Sequence, residues 1–175
     1  MLKKIESIIK TLYYKKISAM NVAKLLGVDF GKNCYFMEKN WGSEPYLIKM
    51  GNDVQLSSNV TFVTHDGSMR VIRKLYPEYK NADLFGRIII GDNVFIGINT
   101  TILLDTKIGN NVIIGAGSIV KGKLDSNSVY AGVPAKYICT IDEYVEKNNT
   151  KYDFTKEMNS YDKKAYLVEK YNLKL

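Results

Sequence analysis

IIIGDNVFIGINTTILLDTKIGNNVIIGAGSIV, residues 88–120, repeats itself every six residues. Ile90, Ile96, Ile102, Ile108, Ile114 and Val120 stand six apart, and all are β-branched. Gly91, Gly97, Gly109 and Gly115 follow four of them, while Val94, Thr100, Thr106, Val112 and Ser118 hold the fourth place after each of the first five. A period of six belongs neither to a helix nor to a plain strand. It describes a chain that turns a corner every six residues, so that three corners close one turn of about 18 residues and parallel strands of successive turns stack about 4.8 Å apart. The in-phase isoleucines then point inward onto one another, and they are predicted to be buried. Asp92-Asn93 and Asn110-Asn111 fall at corners, where Asn, Asp and Gly tolerate positive φ.

The phase extends upstream. Met50, Leu56 and Phe62 form a second run, with Gly51, Val54 and Val60 in the expected places, and Phe30-Gly31 with Phe36 suggests a fainter start. Phe62 and Ile90 are 28 residues apart, which is not a multiple of six. Residues 63–87 therefore leave the coil as a protruding loop, in keeping with the polar, Pro77-containing stretch THDGSMRVIRKLYPEYKNADLFGR. A loop this long inside a compact domain is usually functional or disordered. Its first turn carries His65, the only histidine, followed by Asp66.

The ends differ from the middle. Leu2, Ile5, Ile9, Leu12 and Ile17 form one stripe among lysines, which predicts an amphipathic helix over residues 2–25 stopping near Gly27. Residues 140–172 again have helical spacing, in Ile141, Tyr144 and Val145 and in Met158, Tyr161, Ala165, Leu167, Val168 and Tyr171. The resulting organisation is an N-terminal helix (1–27), a coiled β domain (28–138) and a C-terminal helical cap (139–175). The 175 residues carry a net charge of +7, and residues 1–25 hold six lysines against one acid. That segment suits a solvated helix face or weak peripheral contact with an anionic membrane. No nucleic-acid motif accompanies the charge, so nucleic acid is not an expected partner. No apolar run approaches a membrane span and the start lacks a signal-peptide core, so a cytoplasmic location is expected. Cys34 and Cys139 are too few for a disulfide scaffold and read as reduced, buried small side chains. One histidine excludes sites built on several imidazoles, and no metal is expected.

The repeated [IV]-G-x-x-x-x pattern, continued by YAGVPAKYI at 130–138, resembles the hexapeptide-repeat acyltransferase family. The resemblance implies an all-β solenoid, a left-handed parallel β-helix with α-helices at both ends, assembled as a homotrimer with sites between subunits. It also implies transfer of an acyl group, most simply acetyl from acetyl-CoA, to a hydroxyl or amine. The saccharide acceptor rests on likeness to short enzymes of surface-polysaccharide pathways. His65 matches the family's catalytic histidine in a similar T-H-D context. A neutral imidazole can take the acceptor's proton as it attacks the thioester. Asp66, and Glu44 in WGSEPYLI, are candidates to orient that imidazole or bind the acceptor. By the same resemblance the pantetheine arm of the donor lies near Gly97, Ala116 and Gly117, with the Ile98 amide as oxyanion donor. Lys121 and Lys136 are candidates for the CoA phosphates.

Two departures stand out. KGKLDSNSV at 121–129 replaces a common family pattern, and Cys139 stands where a second basic residue is frequent. Serine O-acetyltransferase and xenobiotic acetyltransferase are the alternative enzymes. The former carries a long helical N-terminal domain, for which only about 26 residues are present before the coils. A membrane-associated β-helix scaffold without activity is the non-enzyme alternative, and His65 and A-G-V-P-A-K argue against it.

Overall fold

The structure, a computed structural model, describes residues 16–174. The chain divides into two compact units, residues 1–141 and 142–175. The predicted N-terminal helix falls largely on residues outside those described. Within the described residues the expected single helix over 2–25 is broken: Ser18 has extended backbone (ψ 154°), and a separate helix, α1 (Ala19–Leu25), starts after it, capped by the Ser18 hydroxyl, which accepts from the Asn21 amide at 3.3 Å. Ala19, Val22 and Ala23 are buried. Gly27, at φ +86°, ends the helix, with its amide on the Lys24 carbonyl and the Val28 amide on the Ala23 carbonyl.

Short strands follow: β1 (Asp29–Phe30), β2 (Tyr35–Phe36), β3 (Ile48–Met50), β4 (Gln55–Leu56) and β5 (Thr61–Phe62). After a helix-bearing excursion containing α2 (Met69–Leu75) come β6 (Ile88–Ile90), β7 (Val94–Ile96), β8 (Thr101–Ile102) and β9 (Lys107–Ile108). The series ends with β10 (Val112–Ile114), β11 (Ile119–Val120), β12 (Lys123–Leu124), β13 (Ser128–Ala131) and β14 (Lys136–Thr140). Among the described residues these form three sheets, ordered β1-β3-β6-β9-β12, β14-β13-β10-β7-β4-β2 and β11-β8-β5. From β3 to β13 the chain visits the three sheets in rotation. Every pairing is parallel except the last.

The circuit length explains the sequence period. Ile90 pairs with Ile108, Ile96 with Ile114 and Ile102 with Val120, each eighteen residues apart. All six are at most 4% exposed, as their phase predicts. Val94, Thr100, Thr106, Val112 and Ser118 form a second buried layer. The hydroxyls among them are satisfied locally: Thr106 Oγ1 donates to the Leu103 carbonyl and Ser118 Oγ to the Gly115 carbonyl, both at 2.6 Å. A buried hydroxyl costs free energy unless so bonded.

Corners are built from left-handed residues. Asn33, Asp53, Asn93, Asn111 and Asn127 occupy one corner, all near φ +55°. Each of the last four donates its amide to the carbonyl of the circuit before it. Their side chains run on as a ladder: Asn93 Nδ2 donates to Asn111 Oδ1 at 2.9 Å, and Asn111 Nδ2 to Asn127 Oδ1 at 2.7 Å. Asn side chains at αL positions thus stabilise the turn and bind neighbouring circuits at once.

The first circuit takes twenty residues, Phe30 pairing with Met50 and Phe36 with Leu56, and two further departures from the regular repeat appear at the end of the coil. The phase of six stops at Val120, because Gly122 (φ +80°) turns the next corner early. Leu124 therefore pairs with Ile108 only sixteen residues away. The chain then reverses at Gly132 (φ +101°) and Pro134, and β14 returns antiparallel on β13. The parallel coil expected through residue 138 thus ends at β13 in a hairpin, because the turn at Gly132 and Pro134 sends the chain back along β13.

The second unit contains α3 (Ile141–Asn148), entering from the last residue of the first unit, and α4 (Ser160–Lys170). Asn159 caps α4, its Oδ1 accepting from the amides of Tyr161 and Asp162, both at 2.9 Å. Asp153 accepts from Tyr166 Oη at 2.6 Å and pairs with the Lys170 ammonium. Those bonds, Lys170 first, hold its carboxyl below the usual carboxylate range. Among the described residues no helix is long and apolar enough to cross a membrane.

Candidate active site

The excursion opens where β5 ends. Thr61 and Phe62 pair with Thr101 and Ile102 forty residues on, where the regular circuit needs eighteen. The chain leaves through Thr64, His65 and Asp66 and returns through Leu84, Phe85 and Gly86. The Asp66 amide donates to the Leu84 carbonyl at 2.8 Å and the Gly86 amide to the Thr64 carbonyl at 2.9 Å. His65 and Phe85 form an antiparallel bridge between these bonds, with ring centroids 5.6 Å apart. His65 thus sits on a closed neck and not on a free loop. Within the excursion, Arg73 Nη1 donates to the Ala82 carbonyl and to Asp83 Oδ1, tying α2 to the returning strand.

A second segment approaches the neck. Trp41 is 1% exposed and stacks on Phe62 at 5.3 Å, with Phe36 edge-on at 5.1 Å. Aromatic contacts of this kind anchor a segment through large buried area. Next to it, Gly42 (φ +74°) lies so close that an added Cβ would fall 2.7 Å from the Phe62 carbonyl oxygen. Only glycine allows both that φ and that approach. Ser43 and Glu44 are thereby delivered beside Thr64 and His65, before a 3-10 turn at Pro45–Leu47 leads into β3.

Glu44 Oε2 accepts from Thr64 Oγ1 and from Ser43 Oγ, both at 2.8 Å. His65 Nδ1 is 3.2 Å from Ser43 Oγ and 3.7 Å from Glu44 Oε2. The second distance is beyond a hydrogen bond. Glu44 and His65, singled out in the sequence, therefore do come together, with a hydroxyl between them that sequence reasoning missed. Ser43 carried no periodic signal, and in the family-like S-E-P-Y segment the carboxylate of Glu44 drew the reading away from it. Its adjacency to Gly42 and Glu44 was the available clue.

Asp66 is placed differently. Its Oδ1 accepts from the Ser68 amide at 2.8 Å. Hydrogen bonds from the Ser68 backbone and side chain hold its carboxyl below the ordinary range, with a smaller contribution from the charge of His65. It lines the same cleft as His65, a space of about 430 Å³ also bordered by Leu84, Leu103, Leu104 and Lys121. Lys121, read in the sequence as a phosphate ligand, thus stands in the cleft of the imidazole.

Gly97, Ile98, Ala116 and Gly117 meet at one corner of successive circuits. Gly97 is buried, and a Cβ there would lie 2.6 Å from the Ala116 amide nitrogen. The Gly117 amide donates to the Ile98 carbonyl at 2.8 Å. Ala116 and Gly117 (φ +68°) are small and exposed, so a slender chain can lie on backbone there, beside the exposed apolar side chain of Ile98. Lys136 begins β14 opposite Ala131 and is exposed. Among the described residues no group of three or more His, Cys, Asp or Glu could hold a metal ion. Cys34 is half-buried, donating to the Lys32 and Gly51 carbonyls at 3.6 and 3.4 Å, and burial pushes its thiol up. A thiol so raised is a poor nucleophile. Cys139 is likewise partly buried, opposite Val129.

Comparison with known proteins agrees with the repeat. The family described as bacterial transferase hexapeptide (six repeats) matches residues 87–122. Protein CapG of Staphylococcus aureus is 44% identical over 163 residues, covering 91% of this chain and 92% of CapG. The putative lipopolysaccharide biosynthesis O-acetyl transferase WbbJ of Escherichia coli is 32% identical over 122 residues, 62% of each chain. Galactoside O-acetyltransferase of Escherichia coli is 34% identical over 118 residues, 66% of this chain and 55% of that protein. The chain thus spans nearly all of CapG and under two thirds of the other two. The coil rotates through three sheets by parallel pairing up to β13, matches the hexapeptide family at residues 87–122 and is similar to CapG over nine tenths of its length: this chain belongs to the hexapeptide-repeat acyltransferases.

Proposed function

We propose that the protein transfers an acetyl group from acetyl-CoA to a hydroxyl or amine of a saccharide, directly within a ternary complex. The observation that carries this reading is the His65 imidazole, 40% exposed in its side chain at a cleft and backed through Ser43 by Glu44. Nε2 of His65 takes the proton from the attacking oxygen or nitrogen. That atom bonds to the thioester carbonyl carbon, the C–S bond breaks, and the departing thiolate takes up a proton. The Ile98 amide stabilises the oxyanion. Ala116 and Gly117 fit the pantetheine arm, because both are small and exposed, and the buried Gly97 lets the circuits stack closely beneath them. Lys121 and Lys136 neutralise phosphates, and Asp66 positions the acceptor. The saccharide class is supported by the names of WbbJ and galactoside O-acetyltransferase. The same reading makes the coil a left-handed parallel β-helix, the assembly a homotrimer and the location cytoplasmic, with residues 1–25 in weak contact with anionic lipid and 139–175 as a helical cap.

The test is CoA release from acetyl-CoA with pooled sugars and sugar nucleotides. His65→Ala should lower kcat by at least about 10²-fold and leave acetyl-CoA affinity nearly unchanged. A folded variant keeping more than about a tenth of wild-type turnover would remove His65 as the base.

A further inference from the structure

We infer that Ser43 is a positioning residue: its hydroxyl joins Glu44 to His65 and fixes the imidazole as the Nδ1–H tautomer, leaving Nε2 unprotonated for the cleft. The activity part of this inference rests on the reading of His65 as general base; the tautomer part does not.

The argument starts from one proton. A serine hydroxyl can donate once and accept in its remaining directions. Ser43 Oγ has two neighbours, Glu44 Oε2 at 2.8 Å and His65 Nδ1 at 3.2 Å. The carboxylate is the stronger acceptor and the closer atom, so the Ser43 proton goes to Glu44. Ser43 Oγ is then left to accept, and Nδ1 must supply the N–H. The alternative turns the hydroxyl toward Nδ1 and deprives Glu44 Oε2 of one of its two hydroxyl donors, the other being Thr64 Oγ1. Glu44 is only 15% exposed in its side chain, so a lost donor there is poorly replaced by water. Direct Glu44–His65 contact is no competitor at 3.7 Å. The ring nitrogen that holds the proton is set by the hydrogen bond at the other nitrogen. Here the setting bond comes from a hydroxyl, with Gly42 and Trp41 holding its backbone against Phe62.

The protein has one histidine, so labelling with ¹⁵N-histidine gives a single imidazole pair to observe. In the full-length wild type above the imidazole's titration, the ¹⁵N shifts should show protonated Nδ1 and unprotonated Nε2. Ser43→Ala should shift the population toward Nε2–H, the form favoured by free imidazole, and Ser43→Thr should restore Nδ1–H. In the same proteins Ser43→Ala should lower kcat about tenfold with KM for acetyl-CoA nearly unchanged, a fraction of the roughly 10²–10⁴ that a base contributes. A wild-type Nε2–H tautomer would overturn the proposal, as would a Ser43→Ala spectrum indistinguishable from wild type. The spectrum needs no turnover. Nδ1–H lost in Ser43→Ala and recovered in Ser43→Thr therefore upholds the relay even if an active His65→Ala protein rules out the base.

Discussion

Between β6 and β11 each in-phase side chain is buried on one eighteen residues away, whereas α2, in the excursion between Val63 and Arg87, buries none of its residues. The circuits have no single keystone. Their apolar columns, corner ladders and parallel strands repeat, so stability is spread along the stack, as in other repeat architectures. The excursion is held at two places, the paired amides of its neck and the Arg73 clamp. Segments with few buried contacts open at low free-energy cost. On the function proposed above, the chemistry falls at the junction: His65 is on the neck, anchored by the stack, facing a cleft to which the excursion contributes only its entering and leaving residues, among them Asp66, Gly67 and Leu84.

The contrast can be broken by substitution. Ile102→Ala, at a fully buried in-phase position, should cost about 2–5 kcal/mol in denaturant unfolding. Leu75→Ala, at a residue 66% exposed, should stay within about 0.5 kcal/mol. Equal losses at the two sites would end the distinction. Gly42→Ala tests the link between the regions. It should destabilise by about 1–2 kcal/mol from positive φ alone and should lower kcat by displacing Ser43 and Glu44. Unchanged turnover in that variant would mean the segment's position is immaterial. Arg73→Ala should change global stability by less than about 1 kcal/mol, since its partner Asp83 is exposed. It should nevertheless speed amide exchange across residues 67–83, and exchange as slow as wild type would show that the clamp holds nothing.

The smallest effect is expected in the second unit. Asp153 is held ionised by Lys170 and then Tyr166, so its contribution is present above the unfolded value near about 3.9 and is lost as pH falls through the lower folded one. Lys170 is raised by Asp153, so its contribution is present below about 10.4 and is lost as pH rises through the higher folded value. Helical signal from residues 142–175 should therefore be flat between about pH 5 and 9. A transition inside that window would contradict the pairing.

Much of the fold could be read from spacing alone. The isoleucine phase located the strands, and the 28-residue gap located the excursion, because both are one-dimensional signals. Phe30 and Phe36 were faint for lack of repetition, yet β1 and β2 form there. The early corner at Gly122 and the hairpin return of β14 were not legible, because a glycine says that a turn is permitted and not how many residues the circuit will omit. In the site, His65 was visible as a lone imidazole at a break in phase. Its bond to Ser43 spans 22 residues and depends on Trp41 and Gly42 laying one segment across another. Such long-range contacts between unlike elements leave no period to find. The contact of Asp66 with Ser68, two residues on, was more local but competed with the attractive pairing of adjacent His and Asp.

The crossed amide bonds at Thr64, Asp66, Leu84 and Gly86 make the neck a socket. The segment between residues 67 and 83 enters and leaves at one place, and beyond it Ile88 resumes its register on Ile48. For protein engineering this is an exchange port. Segments of other lengths and compositions should graft there as cassettes with the circuits on either side staying in register, and since Gly67 alone of residues 67–83 lines the His65 cleft, such grafts should leave most of the cleft wall in place.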